Sequence, residues 1–296
     1  MRLRSQFLSE HGSATDYWAS REVLQHYDLT FGTRIRWKWM SVCEEIVNRG
    51  ELSKDLEWIA DWGCGTAGAL RVALKFLKIP HTVKLLCSDR STLALEYSLS
   101  QISNEFPQHA VSEWDGQSLP HGNGLLLVSH LITELGPRAE KQLLTLLGAA
   151  PAFIWVEPGT PRCCQKLVQL REKLRSNFRI IAPCPHESAC GLLAQGANEH
   201  WCHNFASVPA EAFQDRGWKK WSDFLQIDLR SLPVSFLAMA KQAIPLEKGR
   251  SRVLGRPWHE KGLSRAIVCT ESAVGEEIFR KKEKIARLDG FTALLP

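Results

Sequence analysis

Glu57-Trp58-Ile59-Ala60-Asp61-Trp62-Gly63-Cys64-Gly65-Thr66-Ala67-Gly68 is the stretch that decides the fold. Glu57–Trp62 is a short apolar run that ends in glycines, as a buried strand does where it leaves a sheet. Ala67–Leu77 then reads as a helix. Gly63, Gly65 and Gly68 let the backbone turn sharply and approach a ligand closely. The helix that follows offers its first amides to that ligand. The same spacing also fits dinucleotide binders, so the neighbouring segments must choose between ligands.

Downstream of this loop, strand and helix patterns alternate. Thr82–Cys87, Ala110–Trp114, Gly124–Ser129 and Phe153–Val156 read as strands. Thr92–Ile102, Pro137–Leu147 and Lys166–Leu174 read as helices. Gly124–Ser129 is almost wholly apolar, which suits a central strand. This alternation predicts a parallel sheet covered on both faces. Upstream, residues 14–49 carry helical spacing, with a second run over Arg34–Arg49 in which Arg34, Arg36 and Lys38 alternate with tryptophans. Beyond residue 176 the period breaks: 177–206 are rich in Cys, His, Pro and Gly. Phe224–Leu229, Val234–Ala240 and Ala266–Cys269 read as strands, and Glu276–Leu288 as a charged helix. The expected organisation is a helical segment over 1–55, a Rossmann-like α/β domain over 56–240 with an insertion at 177–206, and a basic extension over 241–296.

Three acids sit at strand ends. Asp89 closes the second strand and suits ribose hydroxyls. Asp61 lies two residues before the first glycine; a carboxylate there suits the cationic methionine end of S-adenosylmethionine and would repel a pyrophosphate. Asp115 follows the third strand and can accept from the adenine amine. Each acid alone also reads as a helix cap or turn residue. Their joint placement favours S-adenosylmethionine, held by Asp61, Gly63, Gly65, Gly68, Asp89 and Asp115, with an NAD-binding enzyme as the remote alternative. The expected fold is therefore that of a class I S-adenosylmethionine-dependent methyltransferase with N-terminal helices and an inserted Cys-rich metal-binding loop.

Charge and cysteine content refine the picture. The 296 residues carry a net charge of +5, and residues 241–296, with 12 Lys/Arg against 7 Asp/Glu, account for all of it. A basic tail on a neutral body points to a polyanion such as RNA, a solvated charged surface being the plainer reading. No apolar run is long enough to cross a membrane, and residues 1–13 lack the apolar core of a secretory signal. Nine cysteines, an odd number, argue against a disulfide framework. Cys184, Cys190 and Cys202 lie in an aperiodic stretch with His186, His200 and His203. Thiolates bind iron–sulfur clusters or zinc. Cys269 is one candidate to close the site; the three histidines are rivals.

The sequence resembles the methyltransferase-like assembly factors of the small ribosomal subunit, found in bacteria and mitochondria. The likeness rests on the glycine loop, Ser129-His130-Leu131-Ile132-Thr133-Glu134-Leu135, Val156-Glu157-Pro158-Gly159-Thr160-Pro161, Cys184-Pro185-His186 with Cys190, Trp201-Cys202-His203, Arg252-Val253-Leu254 and Val268-Cys269-Thr270. It implies a [4Fe–4S] cluster on Cys184, Cys190, Cys202 and Cys269, with zinc as the alternative, and binding to rRNA of the small subunit or its assembly intermediate. It implies a bacterial cytoplasmic setting or, alternatively, the mitochondrial matrix. One departure is Gly191, where the family usually has proline after the second cysteine.

Evidence for catalysis in the sequence is thin. Asn/Asp-Pro-Pro-aromatic, the clamp of amino-group RNA methylases, is missing after the fourth strand. Ala182-Pro183-Cys184-Pro185 looks like the Pro-Cys context of cytosine C5 methylases but follows the fifth strand. His130 and Glu134 are candidates for a base or a polar clamp, and a helix start explains them equally well. The balance tilts to a factor that uses cofactor and cluster without turnover, with an active rRNA methyltransferase as the alternative. Arg250, Arg252, Arg256, Lys261 and Arg265 are expected to face the rRNA beside His186 and His203, with Trp258 free to stack on a base.

Overall fold

The computed structural model describes residues 18–49, 52, 55–194, 200–246, 249–280 and 294–295. It opens with α1 (Arg21–Tyr27), a single π-helical turn (Asp28–Gly32) and α2 (Thr33–Arg49). The Ser20 hydroxyl caps α1 by accepting from the Val23 amide. Asp28 is buried and holds the turn to the main body: it pairs with Arg36 and Arg71, and Tyr97 donates to it. Arg71 pairs in turn with Glu105. The tryptophans of α2 point inward, with Trp39 fully buried and Trp37 nearly so.

The main sheet contains β1 (Trp58–Trp62), β2 (Lys84–Ser88), β3 (Val111–Glu113), β4 (Gly124–Ser129), β5 (Ala152–Pro158), β6 (Arg179–Ala182), β7 (Asn204–Phe205) and β8 (Pro233–Ala240). Its order is β3-β2-β1-β4-β5-β8-β6, with β7 also on β8. The first five strands are parallel, and β8 and β6 add antiparallel pairs at the far side. α3 (Gly68–Phe76), α4 (Thr92–Glu105), α5 (Pro137–Ala149) and α6 (Pro161–Leu174) connect the parallel strands and cover the sheet. Both faces carry a core, one built on Trp39, Leu70, Leu85 and Leu127, the other on Trp58, Leu126, Phe153 and Met239. The strand order reverses between β1 and β4, so a crevice opens at their carboxyl ends, where open α/β sheets bind ligands.

The remainder departs from expectation in three places. After α7 (Gly191–Ala194) and α8 (Glu211–Gln214) comes α9 (Arg216–Leu225), so the strand expected over Phe224–Leu229 is corrected at its start to a helix end. Asp215 caps α9 through the Gly217 and Trp218 amides, and Leu225 buries at helical spacing from Trp218 and Trp221. β9 (Ser251–Glu260), β10 (Leu263–Cys269) and β11 (Val274–Arg280) form a second, antiparallel sheet, with β12 (Leu294–Leu295) on β9. The helix expected from Glu276 is therefore a strand over Glu276–Arg280. Pairing with β10 overrides local helix preference, and Arg265 bonds Glu276 across the ladder at 3.0 Å. Its remainder, Lys281–Leu288, lies outside the described residues. Finally, the supposed aperiodic stretch 177–206 contributes β6 and β7 to the main sheet. No described helix is long and apolar enough to cross a membrane.

Candidate functional site

A cavity of about 400 Å³ lies at the switch point, a size ordinary for a small-molecule site. Gly63, Gly65 and Gly68 line it together with Asp89 and Asp115. Gly63 has φ +71°, and a Cβ there would come within 2.6 Å of Leu131, so only glycine lets this loop meet the loop after β4. Gly65 has φ +55° and open space where a side chain would stand. Asp89 Oδ2 accepts from the Gly65 amide at 2.8 Å and Oδ1 from the Ser91 amide at 2.9 Å, which fixes the carboxylate on the loop. Asp115 is exposed at the rim, held by the Gln117 amide at 2.8 Å. Trp18 and Tyr27, rings 5.0 Å apart, wall the other side. Sequence reading treated 1–55 as a separate preface and missed this role, because nothing local in a helix says which crevice it covers.

Asp61 is not among the lining residues; it is fully buried in β1 beneath the loop. Neither carboxylate oxygen makes a hydrogen bond of normal geometry. Burial pushes its carboxyl up to about 7, against the pull of the Leu70 amide, and Asp89 adds to the rise. A buried, unpartnered acid under a glycine loop suits a cationic ligand end and disfavours a pyrophosphate.

At the carboxyl end of β4, His130 lines the cavity with φ +57°, a backbone conformation rare outside glycine. Its Nε2 lies 3.2 Å from Lys38 Nζ and its Nδ1 3.2 Å from Ser129 Oγ, which accepts from Trp39 Nε1 at 2.9 Å. Burial and the neighbouring lysine hold the imidazole well below its usual value. Burial, then Arg34, lowers the Lys38 ammonium to about 8, against Glu157 and Cys163. Glu157 Oε1 accepts from the Leu131 and Ile132 amides and from Trp155 Nε1, at 2.7, 3.1 and 2.6 Å, and so holds the pocket loop onto β5. The sequence singles out His130 and, separately, Lys38 among the tryptophans of α2, but not their contact across 92 residues.

The four expected metal ligands gather in one region. Cys190 and Cys269 share an apolar cluster with Cys164, and Cys202 packs against it. Cys184 and Cys202 line a small cleft beside Cys164, and Cys164 Sγ accepts from the Cys202 amide at 2.9 Å. All nine cysteines are free thiols. Among the described residues no three metal-capable side chains converge within metal-binding distance of one another. Of the rival histidines, His186 places Nε2 3.6 Å from Cys269 Sγ, while His203 stacks on Trp201. Burial raises the Cys164 and Cys269 thiols to about 12.

Three buried guanidiniums surround the Cys184 turn. Arg171 donates to Cys184 Sγ at 3.2 Å and to the carbonyls of His186 and Ser188 at 3.0 and 2.7 Å. Arg49 donates to the carbonyls of Cys184 and Pro183 at 2.8 and 2.7 Å. Arg252 donates to Pro183 O at 3.0 Å and forks onto Glu45, which Arg49 also pairs. The expectation that Arg252 faces RNA is therefore corrected: it is 1% exposed and ties β9 to α2. Arg265 is engaged with Glu260 and Glu276, and Arg256 donates to Arg230 O and lies 4.1 Å over the Phe205 ring. Arg250, Lys261 and Trp258 are exposed. Lys281, Lys282, Lys284 and Arg287 lie outside the described residues.

Residues 57–290 match the family described as mitochondrial small ribosomal subunit Rsm22. The chain belongs to this family. No curated protein sequence matches it. Among solved structures it is similar to the plantazolicin methyltransferase BamL bound to a desmethylPZN analogue and SAH, at 10% identity, TM-score 0.43, covering 75% of this chain and 90% of that one. It is similar to a SAM-dependent methyltransferase from Aquifex aeolicus, at 12% identity, TM-score 0.37, covering 54% and 89%. It is also similar to the [4+2]-cyclase SpnF, at 17% identity, TM-score 0.38, covering 77% and 97%.

Proposed function

We propose that this member of the family binds S-adenosylmethionine at the switch-point pocket and works on the rRNA of the small ribosomal subunit during its assembly. The observation that carries the cofactor reading is the Asp89–Gly65 bond above the unpartnered Asp61 carboxyl. The first acid would meet ribose hydroxyls, which either cofactor offers; the second suits the cationic end of S-adenosylmethionine and disfavours the pyrophosphate of NAD. The family's description, mitochondrial small ribosomal subunit Rsm22, supports the matrix as its setting ahead of a bacterial cytoplasm.

Cys184, Cys190, Cys202 and Cys269 would hold a [4Fe–4S] cluster. The donor set fits an anionic centre: Arg49, Arg171 and Arg252 are buried around it, and Glu45, with Glu172 on Arg171, balances only two of the three charges. The bound cluster would supply a covalent tie between the main sheet and the second sheet. In this reading cofactor and cluster shape an rRNA-binding factor without turnover. A second reading, an active rRNA methyltransferase, draws on the Lys38–His130 contact in the pocket wall.

Anaerobic purification with iron, sulfide and zinc analysis tests the centre; four irons and four sulfides per chain are expected, and stoichiometric zinc without sulfide would replace the cluster by zinc. Co-sedimentation with immature small subunits across a salt series tests the partner. Affinity that falls steeply with salt is expected, and absence of co-sedimentation at low salt would refute it.

A further inference from the structure

We propose that His130 and Lys38 form a proton relay for methyl transfer to a ribose 2′-hydroxyl of RNA bound in the open side of the pocket. The inference rests on the second of the two readings above. It starts from His130, which is held in a left-handed conformation at the carboxyl end of β4, where its ring reaches the cavity. Strained non-glycine residues persist where the surrounding structure holds them, and they concentrate at functional sites. The strain here has an identifiable result. It sets Nε2 on the Lys38 amine and Nδ1 beside Ser129, a second lining residue.

The acceptor class follows from what the pocket contains. Among the described residues its only lining thiol is Cys64, which is buried and in contact with Ser98, so no free thiol stands ready to attack a pyrimidine carbon. Ser129-His130-Leu131-Ile132 supplies none of the proline–aromatic clamp that holds an exocyclic amine. A hydroxyl is a poor nucleophile unless its proton is removed as the new bond forms, and a half-buried lysine–histidine pair serves that need.

The step balances as follows. A lone pair of the hydroxyl oxygen attacks the methyl carbon of S-adenosylmethionine. The carbon–sulfur bond breaks with its pair going to sulfur, which gives the neutral thioether. The hydroxyl proton passes to Ser129 Oγ, the serine proton to His130 Nδ1, and the Nε2 proton to the neutral Lys38 amine, which becomes ammonium. The imidazole changes tautomer and never carries charge, in keeping with a ring that burial and Lys38 hold in its neutral form. The groups facing Lys38 are Arg34 on its own helix, His130 at the end of β4, Glu157 at the end of β5 and Cys163 on α6. Burial raises the Glu157 carboxyl to about 7, against Trp155 and the Ile132 and Leu131 amides.

The test uses the full chain, S-adenosylmethionine carrying a tritiated methyl group, and immature small subunits from the same organism. Product nucleosides are identified after digestion, and calorimetry follows cofactor affinity. The wild-type rate should rise with pH and level off above about 8. Lys38→Arg, which keeps the charge and cannot give up its proton, and His130→Asn should each lower the rate by about 100-fold or more. The Lys38 variant, whose side chain does not line the cavity, should bind S-adenosylmethionine within about twofold of wild type, which separates lost proton transfer from a damaged fold. Wild-type transfer that both variants retain would overturn the relay. A methyl group on a base atom would overturn the acceptor class. No transfer at any pH by a wild-type chain that binds the cofactor would overturn the inference and leave the non-catalytic reading standing.

Discussion

The pocket and the thiol region are built by opposite means. In the pocket, the residues that matter are fixed by backbone within a few positions of a strand end: Gly63 and Gly65 by positive φ, Asp89 by two amides, Asp115 by one. In the thiol region, position comes from side chains brought together across the chain. Arg252 reaches Glu45 over 207 residues, and Cys269 meets His186 over 83. The first kind of site tolerates change elsewhere in the fold. The second ties the fold's stability to the site.

Breaking the buried ion pair tests that contrast most severely. Glu45 and Arg252 are 2% and 1% exposed, and Arg49 shares the carboxylate. Arg252→Leu leaves that carboxylate short of a partner, and we expect a loss of roughly 3–5 kcal/mol in urea unfolding. A loss below about 1 kcal/mol would show that the thiol region is not so tied. In the pocket, Gly63→Val meets both a left-handed backbone and the Leu131 side chain. We expect it to cost on the order of 2–4 kcal/mol and to abolish cofactor binding; unchanged calorimetric affinity would contradict the loop's role.

Asp61 sharpens the comparison through pH. Its carboxyl is raised from 3.8 to about 7 when folded, so the folded chain holds a proton that the unfolded chain releases. Its contribution to stability is full below pH 4 and falls as pH rises from about 4 to about 7. Asp61→Asn should therefore match wild type near pH 4 and exceed it by roughly 2–4 kcal/mol at pH 8 without cofactor. Equal stability of the two at pH 8 would show that the carboxyl is not isolated. The smallest effect is expected at the surface. Lys261→Glu should leave the unfolding midpoint unchanged and reduce the salt slope of rRNA binding by about one; an unchanged slope would remove Lys261 from the contact.

The same contrast explains what the sequence disclosed. The parallel strands and their helices were legible because a buried strand needs an unbroken apolar run, and Gly124–Ser129 matches its strand end for end. The glycine loop and Asp89 were legible for the same local reason. Of the second sheet only Ala266–Cys269 was: Val274–Arg280 has the charges of a helix and becomes a strand only by pairing with β10. Arg252 read as a surface cation because its acid partner lies on α2. Lys38 read only as one cation among tryptophans and Cys164 went unremarked, because their roles depend on His130 and Cys202, which no local pattern connects to them.

The account rests first on the pocket, and calorimetric titration of the purified chain with S-adenosylmethionine, NAD and the Asp89→Ala variant tests it most directly. One molecule of S-adenosylmethionine should bind per chain, and NAD should not. Loss of the charge-assisted acceptor at Asp89 should weaken binding by roughly 1.5–3 kcal/mol. Binding of NAD in place of S-adenosylmethionine, or equal affinity in the variant, would contradict the assignment.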